Sequence, residues 1–82
     1  MAQPYEAVTD RVAEEIGDHR VEEPEATALL ALARRVAQAS DDRRAAPLVS
    51  YLVGQVTGSE FDPARRAALI DQLAGRLFPG GD

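Results

Sequence analysis

Four segments of the chain repeat apolar residues at three- and four-residue intervals, the period of a helix with one buried stripe. In the first, Tyr5, Val8, Val12 and Ile16 make the stripe; Pro4 suits an opening turn and Gly17 a stop, so a helix is expected from about Pro4 to Ile16. Asp18 to Pro24 reads as a connector whose only aliphatic residue, Val21, plugs the end of the core. A second helix opens at Pro24 or Glu25 and ends near Gln38 or Ala39. Its buried face is Leu29, Leu32, Ala33, Val36 and Ala37, broadened by Leu30. Ser40-Asp41-Asp42-Arg43-Arg44 is a polar turn. The third helix starts at Arg43, Arg44 or Pro47, and in each case Pro47 falls within the first turn. Leu48, Tyr51, Leu52 and Val56 form its apolar face, and Val49 and Val53 widen it. The stretch lacks the alternation of a strand, so a nearly buried central helix is expected. Asp62 caps a last helix, Pro63 opens it, and it runs to about Phe78 with Ala67, Ile70, Leu73, Ala74 and Leu77 on one stripe. Phe61, just before the cap, is placed to act as a hydrophobic staple. The pattern predicts an all-α fold, a compact bundle of four short amphipathic helices.

Gly54 interrupts the third stripe. Glycine inside a helix is less favourable than alanine by about 1 kcal/mol, which a close helix crossing would offset.

With 82 residues, the chain holds one domain over 1–82, with a frayed tail at 79–82. Size scaling gives such a folded monomer a surface of ~4,800 Å². Cysteine is absent, which excludes disulfides and thiolate chemistry, and the single histidine, His19, cannot furnish the common zinc sites. The first residues carry no signal-peptide pattern, and no apolar run approaches the ~20 residues needed to span a bilayer, so a cytoplasmic protein without a membrane segment is expected.

Charge is unevenly placed. Residues 1–25 carry eight acids and two arginines, while residues 26–82 carry six acids and seven arginines, and the whole chain is at −5. That balance disfavours non-specific nucleic-acid binding. Within the first helix, Glu6–Asp10 and Asp10–Glu14 are like-charge pairs four residues apart, so that helix depends on packing.

Catalytic and metal-binding residues are not evident. Asp41 and Asp42 are adjacent in a solvated turn, without a cleft to tune one against the other. Ser50 and Tyr51 have no base nearby in sequence, and Tyr51 is expected in the core with its hydroxyl at the edge. The length, acidity and helix count resemble an acyl carrier protein, but none of Ser40, Ser50 and Ser59 stands in the Asp-Ser-Leu that such a carrier needs. The remaining candidate is a basic edge, with Arg34 and Arg35 closing the second helix and Arg43 and Arg44 opening the third. Their guanidinium groups suit carboxylates or phosphates. Gln38 and Tyr51 join them as candidate partner- or ligand-binding residues, while Pro47, Gly54, Asp62 and Pro63 have structural roles.

Residues 29–38 (LLALARRVAQ) followed by 43–54 (RRAAPLVSYLVG) resemble a small actinobacterial helical domain of unknown function, found alone or attached to molybdenum-cofactor guanylyltransferases. Gln38 stands where that family places a histidine after alanine, which would remove an ordinary proton shuttle. The lack of catalytic residues and the arginine-flanked junction point to a non-catalytic helical interaction or accessory module, and the resemblance implies a role beside molybdenum-cofactor biosynthesis. Its expected partner is a protein, such as a molybdenum-cofactor biosynthesis protein, or a second copy in a homodimer. No cofactor is expected, and the alternative readings are a pterin-nucleotide-binding accessory enzyme taking a molybdopterin-related ligand, or a structural helical dimer.

Overall fold

Among residues 4–18 and 20–79, those described in the computed structural model, the chain forms four helices: α1 (Tyr5–Ile16), α2 (Glu23–Ala39), α3 (Ala45–Thr57) and α4 (Pro63–Leu77). The expectations attached to His19 and to the tail beyond Pro79 lie outside the described residues. Each helix starts and stops for a local reason. Gly17 ends α1 at φ 74°, a left-handed conformation that an L side chain resists; the Asp18 N–H then closes onto the Ala13 carbonyl at 2.9 Å. Glu25, at the third position of α2, accepts the Glu22 N–H at 3.1 Å, and Pro24 lies in the same turn. Asp62 accepts the Ala64 N–H at 3.4 Å, with Pro63 first in α4 as expected. Pro47 sits in the first turn of α3.

The fold is an all-α, compact four-helix bundle, with a radius of gyration of 12.9 Å and a flattened outline of 35 × 33 × 18 Å. Helix α2 is its centre, packing along α4 most extensively and along α3 next. Leu32, Val36 and Ala28 of α2 meet Val53 of α3 and Ala67, Ile70 and Ala74 of α4, with Leu29, Ala45, Ala46, Val49, Leu73 and Phe78 around the edge.

Helix α3 departs from the expected nearly buried helix. Its core side is Ala45, Ala46, Val49, Val53 and Thr57, whereas Leu48, Tyr51, Leu52 and Val56 face outward at 57–67% exposure. No charged residue occurs between Ala45 and Thr57, so no polar face fixes the helix's rotation. The smaller side chains turn inward, where they let α3 approach α2 closely, and the larger ones are left outside. Tyr51 is therefore a surface residue rather than a core one. Gly54 is no crossing point either, because a Cβ there would meet nothing within 4 Å.

Three smaller expectations change with it. Phe61 is fully outside instead of acting as a staple, because the residue that should receive it, at the fourth position of α4, is the charged Arg66. Val21 is exposed and borders a depression with Tyr5 and Thr27, so it plugs nothing. On α1, only Ala13 is buried; Tyr5, Val8, Val12 and Ile16 all remain exposed.

Candidate interaction surface

The residues of the basic edge do not gather at one place. Arg44 folds back on its own turn: its Nε and Nη2 donate to the Asp42 carboxylate at 2.9 and 2.8 Å, and its backbone N–H donates to the same carboxylate at 3.0 Å. The Arg44 guanidinium holds the Asp42 carboxyl below the usual aspartate range, with the backbone donor adding to the effect. Both groups are solvent-exposed, so the pair shapes the turn and adds little stability. Arg35 reaches the other way, donating from Nη1 to the Phe78 carbonyl at 2.8 Å and tying α2 to the end of α4. Arg43 borders a depression with Ala37, Ser40, Asp41, Asp42 and Ala46, which Arg34, Gln38, Arg44 and Tyr51 do not enter. Arg34 and Gln38 are exposed on α2, and the Tyr51 hydroxyl accepts from Gln55 Nε2 at 3.0 Å on the outer face of α3. The six candidate residues thus point to separate places.

The strongest polar constellation involves a residue that sequence reasoning passed over. Arg66, 4% exposed, donates from Nε to Glu25 Oε2 at 2.7 Å and from Nη2 to Glu25 Oε1 at 3.0 Å; Glu25 is 6% exposed. Its Nη1 donates to the Glu60 carbonyl in the α3–α4 loop. The paired Glu25 carboxylate pushes the Arg66 guanidinium further up from an already high value, so it stays charged. One side chain thereby locks the start of α2, the start of α4 and the loop between α3 and α4. Among the described residues no buried side-chain nitrogen or oxygen lacks a partner, so the pair acts as a structural clamp, and it borders a depression with Asp18, Leu29, Thr57 and Phe61. A signal was present in the sequence: Arg66 and Glu25 both fall in phase with the apolar stripes of their helices, Arg66 four before Ile70 and Glu25 seven before Leu32.

The α3–α4 side of the bundle exposes apolar side chains. Leu52 and Val56 of α3, with Val49 and Val53 behind them, line a groove closed on the other side by Leu73, Leu77 and Phe78. Leu48 and Tyr51 extend that face along α3. Arg35 lies at the Phe78 end, and Arg76 stands in the last turn of α4 between Leu73 and Leu77. No acid lines the groove. Together these side chains make an apolar strip along one side of the bundle.

Among the described residues, no group of three or more His, Cys, Asp or Glu side chains is placed to hold a metal ion, and no helix is long and apolar enough to cross a membrane. No curated protein and no solved structure matches the chain. Residues 2–78 match the family described as domain of unknown function DUF6457, and the chain belongs to that family.

Proposed function

We propose that this protein is a non-catalytic helical interaction module whose contact surface is the outer face of α3 together with the α3–α4 groove. One observation carries the reading: a helix of thirteen residues without a charge presents Leu48, Tyr51, Leu52 and Val56 to solvent. Core burial takes the other side of the same helix, so packing within the chain does not account for these four residues. On this reading Arg44 of the α2–α3 turn serves local structure, and Arg35 ties α2 to the end of α4. An accessory role beside molybdenum-cofactor guanylyltransferases is supported by the resemblance of residues 29–54 alone, and such an enzyme is the first outside partner to try. A cytoplasmic setting belongs to the same proposal.

Binding to that enzyme, and self-association, are to be measured for the unmodified chain, for Leu52→Glu and for the charge reversal Arg43→Glu/Arg44→Glu. The reading expects Leu52→Glu to abolish whatever association the unmodified chain shows, and the charge reversal to weaken it only at low salt. Loss of association in the charge reversal with full retention in Leu52→Glu would move the surface to the basic turn and overturn the reading.

A further inference from the structure

Resting on that reading, we infer that the occupant of the groove is helix α1 of a second copy of this chain, with each copy lending α1 to the other. Helix α1 is amphipathic, yet within its own chain only Ala13 is buried: Tyr5, Val8, Val12 and Ile16 share one side and are all exposed. Among the described residues no Cα of another helix comes within 8 Å of it. Its like-charged acids at four-residue spacing leave it weakly stable by itself, so its apolar side needs a surface to fold against. The α3–α4 groove is the matching half. The stripe from Tyr5 to Ile16 is ~17 Å long at 1.5 Å per residue, and α3 offers ~20 Å.

Charge selects the same pairing. Helix α1 carries Glu6, Asp10, Glu14 and Glu15 against Arg11, with Arg20 3.7 Å from Asp10, whereas the groove is lined without an acid and ends at Arg35 and Arg76. Donor stripe and acceptor groove occur once each on one chain, so a two-fold pair covers both at the same time.

The chain has no cysteine, which allows a direct test. A tagged Val12→Cys chain is mixed with an untagged Leu52→Cys chain, oxidised gently, and the disulfide-linked species are weighed without reduction. Both positions are exposed, so neither change disturbs the core, and circular dichroism checks that helix content is kept. The mixed 12–52 product is expected roughly tenfold over either like pair, the ratio that a preference of about 1.4 kcal/mol gives. A dominant 52–52 product would overturn α1 as the occupant while leaving the α3 face as a contact surface. Absence of any linked product would overturn the second copy, and the proposed function would then stand or fall on the Leu52→Glu binding result.

Discussion

Arg66 and Glu25, forty-one residues apart in sequence, form a two-pronged ion pair that is almost entirely buried, and it joins the N-terminal turns of α2 and α4. Desolvating two charges is expensive, and the pair is tolerated because each prong is short and the third guanidinium nitrogen finds the Glu60 carbonyl. Removing one partner strands the other. Arg66→Ala or Glu25→Ala is predicted to lower stability by about 3–5 kcal/mol, much of what a domain of this size possesses. The double change Glu25→Leu/Arg66→Met should recover most of that loss, because it leaves no buried charge. Urea denaturation midpoints check both, and a double variant as weak as either single one would contradict the account.

Legibility in the sequence differed from one element to the next. All four helices could be read from period and punctuation, because Gly17, Pro24, Pro47 and the Asp62-Pro63 pair act locally. The stripes of α2 and α4 survive in the core as Leu32, Val36, Ala67, Ile70 and Ala74, whereas Leu30, Ala37 and Leu77, expected on them, are exposed. The core side of α3 is not written in its sequence. Periodicity locates a core side by contrast with a polar side, and residues 45–57 offer no such contrast. For helix α1 the stripe is real, but a stripe does not say which molecule covers it. The Arg66–Glu25 clamp was visible only as two charges in core phase, and matching them requires knowing that two helix starts meet.

Two glycines separate backbone need from packing. Gly17 holds a left-handed turn with open space around it, so Gly17→Ala should cost about 1–2 kcal/mol through conformation alone. Gly54 lies inside a helix with equal space, so Gly54→Ala should stabilise by up to ~1 kcal/mol. Thermal melts of the two variants should shift in opposite directions, and a destabilising Gly54→Ala would restore the close-crossing expectation.

The turn between α2 and α3 has its own pH signature. The Asp42 carboxyl titrates lower in the folded chain than in the unfolded one because of Arg44. The contribution of the pair is therefore present at neutral pH and is lost as pH falls through the folded value. An NMR titration should give Asp42 a lower midpoint in the unmodified chain than in Arg44→Ala, with little change in melting temperature at neutral pH because the pair is exposed. Equal midpoints would contradict the hydrogen-bond geometry.

Arg35 secures the far end of the bundle. Replacing it with Met removes the donor to the Phe78 carbonyl and keeps much of the aliphatic stem. Amide exchange should accelerate over the last turn of α4, around Ala74 to Phe78, and stay unchanged near Glu25. Uniform acceleration across α2 and α4 would show that the contact supports the whole core rather than one helix end.

Sedimentation equilibrium of the full chain tests the central claim most directly. The unmodified protein should sediment at twice its 8.8 kDa chain mass, and Leu52→Glu at the single-chain mass with its helix content intact. A single-chain mass for the unmodified protein at every concentration, or a dimer untouched by Leu52→Glu, would contradict the docking of one copy's α1 against the α3–α4 face of the next.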